Sequence, residues 1–253
     1  MSIRISPKKV VRVLVLIALL LTFAGLGARF LTMFWGSEGL RELLQPLRLA
    51  NDNTIPTWYS SLILLLSSIL LALIAIAKKQ QGVPYALHWG ILAGIFLLLS
   101  IDEVATIHET AGESLGRALA YAVGFTPSGF FYYSWVIPGI AFVLIVLLAY
   151  VRFLTHLPRR TALFFLLAGG LFVAGAIGVE MLGSLLDFEV QESGNRMQDM
   201  PYSTRILSVV SVAIEEFLEM LSIAIFIYAL LSYISSHVKE AATIRIRIDD
   251  ERK

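Results

Sequence analysis

Cysteine is absent from the 253 residues of the chain. Disulfides, thiolate zinc sites, iron–sulfur clusters and covalently attached c-type haem all need cysteine, so the sequence excludes each of them. Charge is also scarce: Asp, Glu, Lys and Arg make up 15% of the chain, whereas a soluble domain has about 25%. A disulfide-stapled secreted module is therefore excluded, and an ordinary soluble domain is disfavoured.

Apolar residues make up 57% of the chain and come in long blocks. The segments 58–77 and 130–150 contain no charged residue at all. Blocks of about 20 such residues match the hydrocarbon core of a bilayer. The sequence therefore predicts a polytopic membrane protein surrounded by lipid, and it excludes a soluble enzyme and a nucleic-acid-binding protein.

The length of the apolar runs predicts an all-α integral membrane bundle of six transmembrane helices. Helices are expected because backbone polar groups within lipid must be satisfied inside each segment, and the alternating pattern of a membrane β-barrel is absent. The predicted spans are about 10–30, 58–77, 87–107, 130–150, 161–186 and 206–234. We expect no soluble domain, so residues 1–253 form a single transmembrane domain with a tail over 237–253.

Lysine and arginine are divided unevenly between the two sides of this arrangement. With a cytoplasmic N-terminus, the cytoplasmic segments hold fourteen of the 20 basic residues and the external segments hold six. The positive-inside rule then places both termini in the cytoplasm and the protein in the inner or plasma membrane of the cell. Trp35, Trp58 and Trp135 near the span ends predict an interfacial aromatic belt.

Ionisable residues interrupt three of the spans, where they are costly and are functional candidates for that reason. At about 1.5 Å rise per residue, the three helices place these residues at one depth, in the outer third of the membrane. An alternative stays open, because acids near the interface are also solvated by headgroups and water. The residues are Asp102, Glu103, His108 and Glu109 in and after the third span, Glu180 in the fifth, and Glu215, Glu216 and Glu219 in the sixth.

A divalent-metal site that faces outward is the leading interpretation of this cluster. Clustered carboxylates repel one another, so a site that holds several needs shared protons, an arginine or a cation. Carboxylates with one imidazole favour a hard or borderline ion such as manganese, iron, zinc, calcium or magnesium. The predicted ligands are Glu103, His108, Glu180, Glu216 and Glu219, with Asp102, Glu109 and Glu215 as secondary candidates.

Other cofactors lack the residues that would hold them. His88, His156 and His237 belong to the predicted cytoplasmic side, so the outer leaflet has neither three histidines for zinc nor two for a haem. No lysine lies within a span, so retinal has no attachment site. The Glu-x-x-His motif of di-iron helix bundles is also missing, so a di-iron site is possible but departs from the usual pattern.

The string SIDEVATIHE over residues 100–109 is followed by a Glu-Glu-x-x-Glu pattern in the last span. This combination resembles a family of uncharacterised bacterial polytopic membrane proteins that carry the string S-[IL]-D-E-x4-H-E. The resemblance implies a six-span membrane protein and brings no known chemistry with it.

Three functions are open at this point. The first is an outward-facing carboxylate–histidine site that binds a divalent cation, either for metal-assisted chemistry in the membrane or for structure. The second is a cation- or proton-coupled transporter that uses the same acids as relay sites. The third is an accessory subunit of a larger membrane complex. The sequence does not determine catalytic residues, the substrate, or whether the protein is a homo- or hetero-oligomer.

The division of basic residues predicts the topology. A reporter fused to the C-terminus of the full chain should be active only in its cytoplasmic form, because fourteen of the basic residues lie on that side. Paired fusions to a protein that fluoresces only inside the cell and to an enzyme that is active only outside it measure this. Strong activity of the external reporter would contradict the six-span arrangement.

The acid cluster predicts a response to metal removal. A chelator should lower the melting temperature of the detergent-solubilised protein, and returning the metal should restore it by mass action. Glu219→Gln should abolish this response and leave insertion intact, because glutamine keeps the shape and removes the charge. If the chelator does not change the melting temperature and elemental analysis finds no metal, the cation is eliminated. Arg29, Arg196 or shared protons would then compensate the carboxylate charge.

Overall fold

The computed structural model of the protein describes residues 6–49 and 53–238. Within these two ranges every regular element is a helix, and six helices are long and apolar enough to cross a membrane. The prediction of an all-α protein with six candidate spans is confirmed, and the protein is a multi-pass integral membrane protein. The cytoplasmic placement of its termini stays a prediction.

Nine α-helices follow one another along the described ranges. They are α1 (Pro7–Trp35), α2 (Glu38–Leu44), α3 (Ile55–Gln80), α4 (Ala86–Ala105), α5 (Ile107–Val123), α6 (Val136–His156), α7 (Arg159–Val173), α8 (Glu180–Glu192) and α9 (Tyr202–His237). A π-helical segment, Ala174–Val179, joins α7 to α8, and the three together form the fifth candidate span. Short 3₁₀ turns lie at Gln45–Leu47, Gly129–Phe131 and Met197–Asp199.

Two of the differences between the helix limits and the predicted spans bear on the site. The third span ends at Ala105 because Thr106 adopts a left-handed backbone with φ 46°, which a β-branched residue rarely takes. The fourth span begins at Val136, since the preceding residues form a turn that Ser184 of α8 holds: its Oγ donates to Gly129 O and accepts from Tyr133 N. Apart from His237 and Val238, the predicted tail over 237–253 lies outside the described residues.

The centre of the bundle is formed by α3 and α9. Half of the most apolar stretch of each helix is buried, and Leu71, Ile74, Ile227 and Leu230 are completely enclosed in one apolar cluster. The helices α1, α3 and α7 all pack against α9, and α4 packs along α3. Because the surrounding lipid is as apolar as these side chains, close packing between helices is what stabilises such a core.

Buried serines fix α4 against α3 just before the first acids. Ser61 Oγ donates to Ser100 O at 2.7 Å, and Ser100 Oγ donates to Ser61 O at 2.9 Å. Lower along the pair, Ser68 Oγ donates to Ala93 O at 2.7 Å. These interhelical hydrogen bonds hold the C-terminal end of α4, and therefore the start of the SIDE string, in a defined position.

A glycine allows the π-helical segment to approach α9 closely. A Cβ on Gly175 would lie 3.1 Å from Leu218 Cβ, 3.2 Å from Glu215 O and 3.3 Å from Glu219 Cγ. A π segment also turns the residues that follow it relative to a continuous α-helix, and such segments are frequent at functional sites. The close contact and the π turn together set Glu180 beside the acids of α9.

The contact at Gly175 predicts a loss of stability when it is filled. Gly175→Val should lower the free energy of unfolding by about 1–3 kcal/mol, because the added carbons meet the backbone of α9. Unfolding in mixed detergent, followed by circular dichroism, measures this. Gly178→Val is the matched control, since a Cβ at Gly178 in the same segment meets nothing within 4 Å. Equal losses in the two variants would contradict the prediction.

Candidate functional site

A cavity of about 910 Å³ lies between α4, α6, α7 and α9. This volume is near the upper limit of the range of about 300–1,000 Å³ that is usual for ligand sites. Its walls are apolar over most of their length, and the ionisable residues gather where α4 ends and α6 begins. The acidic end of the cavity consists of Asp102, Glu103, His108, Trp135, Glu180 and Glu219.

Asp102 holds His108 across the break between α4 and α5. The Oδ2 atom of Asp102 lies 2.6 Å from His108 Nδ1, and Oδ1 accepts a hydrogen bond of 2.9 Å from the backbone N of His108. The left-handed backbone of Thr106 makes both contacts possible, because it turns the chain within four residues of Asp102. Strained backbone of this kind concentrates at functional sites. One carboxylate thus orients both the imidazole ring and the first turn of α5.

The environment of His108 favours its charged form. Burial opposes the charge, but the hydrogen bond to Asp102 and the nearby carboxylates of Glu180 and Glu109 outweigh it and raise the pKa of His108 above its ordinary value. Because Asp102 holds Nδ1, Nε2 is the nitrogen that His108 offers to the cavity.

Trp135 forms the opposite wall of the acidic end. Its ring packs edge-on against His108 with 4.7 Å between the centroids, and its Nε1 donates a hydrogen bond of 3.0 Å to Glu180 Oε1. Glycines make room for it: a Cβ on Gly112 would lie 2.6 Å from Trp135 Cβ, and one on Gly139 would lie 2.9 Å from the indole ring. Trp135 is therefore part of the site, whereas the sequence interpretation placed it in an aromatic belt.

The glutamates of the site fall into two groups. Glu180 interacts electrostatically with Glu215, and its Oε1 accepts the hydrogen bond from Trp135 Nε1. Glu103 and Glu219 both line the cavity, and in the described ranges neither carboxyl group receives a hydrogen bond. Glu219 is partly buried and lines the cavity.

The structure brings most of the predicted site residues together. Four of the five predicted ligands line the cavity with the secondary candidate Asp102, whereas Glu215 and Glu216 lie behind the wall. Glu216 is within electrostatic range of Glu103, and Glu109 is exposed on α5 and does not line the cavity. The sequence reasoning missed the cavity itself, since an apolar wall and a lipid-facing surface have the same composition.

Arg29 is the predicted arginine that approaches the acids. It lies within electrostatic range of Glu216 and Asp187, and its Nη2 donates a hydrogen bond of 2.9 Å to Leu49 O. It does not line the cavity. Arg196, the other predicted arginine, is exposed in a turn where its backbone N contacts Asp199. Arg29 therefore acts on the charge of Glu216 and Asp187 without taking part in the cavity wall.

Metal binding stays a prediction. Over residues 6–49 and 53–238, no three His, Asp or Glu side chains converge closely enough to hold a metal ion. The predicted ligands share the cavity wall, but they face it from different helices and several already have protein partners. The chelation experiment described above tests the metal directly.

Comparison with known proteins identifies the family but no activity. Residues 11–234 match the model of a family described as a domain of unknown function, DUF8692. No curated protein and no solved structure matches the chain. The chain therefore belongs to the DUF8692 family, an uncharacterised family as the resemblance implied.

Proposed function

We propose that this protein binds an amphipathic molecule taken from the bilayer. The hydrocarbon chain of the ligand occupies the apolar part of the cavity, and its polar group lies at the acidic end. The observation that carries this proposal is one cavity of about 910 Å³ whose long apolar walls end in a cluster of ionisable residues. A ligand with one apolar and one polar part matches both regions at once.

The apolar part of the cavity offers almost nothing to a polar ligand. Its walls run from Leu99 and Val173 near the acidic end to Phe153 and Phe165 at the far end. The two hydroxyl groups on these walls are already used: Ser222 Oγ donates to Glu219 O, and Tyr150 OH donates to His88 O. If a space of this size were empty, the side chains that line it would lose dispersion contacts. A hydrocarbon chain in the cavity would restore these contacts.

The position of α6 gives the ligand a way in from the lipid. At one end of this helix Trp135 contacts His108, and near the other end Tyr150 bonds to the backbone of α4. Between these contacts Phe142 and Leu147 line the cavity and still expose 47% and 46% of their surface. An amphiphile would therefore enter sideways along α6, with its chain remaining in an apolar environment throughout.

A divalent cation at the acidic end is the second candidate. It is favoured by Glu103 and Glu219, whose carboxyl groups line the cavity and receive no hydrogen bond from described residues. The chelation experiment distinguishes the cation from the amphipathic ligand.

Coupled transport has less support, because the cavity walls beyond the acidic end are apolar and offer no polar relay. We further propose that both termini are cytoplasmic and that the membrane is the inner or plasma membrane of the cell.

Narrowing the cavity should weaken ligand binding. A diazirine on the chain of dodecanol, activated by light in proteoliposomes of the full-length protein, should label cavity residues such as Phe142 and Phe165. Gly169 lies on the α7 wall and has open space around its Cβ position, so Gly169→Leu should narrow the cavity without a clash. We expect this variant to lose about ten times in labelling of the cavity residues, the effect of about 1.4 kcal/mol of lost contact.

Gly94→Leu is the matched control for this experiment. Gly94 on α4 also has open space around its Cβ position, but it does not line the cavity. This variant should be labelled as strongly as the unchanged protein. Labelling spread evenly over lipid-facing residues, and unchanged by Gly169→Leu, would overturn the proposed function.

A further inference from the structure

We propose that the polar group of the ligand is a cationic amine. This inference rests on the proposed function, because it assigns the chemistry of the ligand's polar end in the same cavity. It follows from the hydrogen-bond partners that the acidic end already has, and from those that it lacks.

The carboxylates of the acidic end differ in whether the protein satisfies them. Asp102 accepts from the ring and the backbone of His108, and Glu180 accepts from Trp135 Nε1. Glu103 and Glu219 lie within electrostatic range of each other, and neither has a donor among the described residues. A ligand that brings both positive charge and hydrogen-bond donors would satisfy these two groups.

The described basic residues of the protein leave Glu103 and Glu219 without a hydrogen-bond donor inside the cavity. Arg29 approaches Glu216, but it is absent from the cavity wall, and the described wall contains no lysine or arginine. His108 is the one titratable base on that wall, and Asp102 already holds it. Carboxylates that are enclosed together in a low-dielectric region need a compensating cation or a proton.

An ammonium group fits the remaining contacts better than other polar groups. It has three donors for the oxygens of Glu103 and Glu219. The indole N–H of Trp135 already donates to Glu180, so only the π face of the ring remains for a ligand. Such a face attracts a cation within about 6 Å of the ring centroid. A phosphate or carboxylate group would meet like charge, and a hydroxyl group would leave the charge uncompensated. The apolar cavity leading to this point accounts for a chain attached to the amine.

Competition among amphiphiles of equal chain length tests the inference. Dodecylamine, dodecanol and dodecanoate would each be titrated against the diazirine probe on the full-length protein in detergent. Charge-assisted hydrogen bonds contribute about 1.5–3 kcal/mol, so dodecylamine should displace the probe at a concentration about ten times lower than dodecanol, or lower still. Dodecanoate should be the weakest of the three.

Two variants locate this preference in the structure. Glu103→Gln and Glu219→Gln should each reduce the advantage of dodecylamine over dodecanol about tenfold. Glu113→Gln is the control: it removes the same charge from the exposed surface of α5, where Glu113 pairs with Arg117. Circular dichroism melting would establish that each variant is folded before it is titrated.

The outcomes separate this inference from the proposed function. Equal displacement by dodecylamine and dodecanol, or a preference that survives both cavity variants, would overturn the amine and leave chain binding intact. Loss of the amine preference on adding a chelator would assign the acids to a metal and also overturn it. Failure of every amphiphile to displace the probe would instead overturn the proposed function.

Discussion

A charge placed within a bilayer must find its counterpart inside the protein or in a ligand, and this constraint governs the end of the bundle where the acids meet. A carboxylate removed from water needs a hydrogen-bond donor, a shared proton or a cation. Asp102 is hydrogen-bonded to His108, and Glu180 is hydrogen-bonded to Trp135. Glu103 and Glu219 instead line the cavity, where a ligand could be their partner. The proposals made for this protein follow from that uneven distribution of partners.

Irregular backbone builds the site on an otherwise regular bundle. The left-handed Thr106 breaks the third span and brings His108 to Asp102, while the π-helical segment and Gly175 bring Glu180 beside α9. On the opposite wall, Gly112 and Gly139 let two helices close around Trp135. Each feature carries a cost in strain or in lost side-chain packing, and all of them border the acidic end. Strained backbone of this kind concentrates at functional sites, which is why the proposals concern this end of the bundle.

The apolar and polar parts of the cavity wall favour one kind of ligand over another. A metal site needs several ligands converging on one point, and the described acids instead line a wall opposite an indole ring. An amphiphile needs an extended apolar space with one polar end, which is the shape observed. Membership in the DUF8692 family adds no substrate, so the argument for a bilayer-derived ligand depends on the cavity and its partners alone.

The sequence by itself determined the class of protein, the number of spans and the residues to suspect. These properties depend on composition and on the length of the apolar segments. About twenty apolar residues span a bilayer, and an acidic residue within such a segment has a free-energy cost however the helix packs. Only the tertiary structure decided which acids share a cavity, that Trp135 belongs to it, and that Glu216 lies behind its wall near Arg29. Helix rotation and a single left-handed residue set those contacts. Because lipid-facing and cavity-facing side chains are equally apolar in this protein, no hydrophobic pattern distinguishes the two faces of a span.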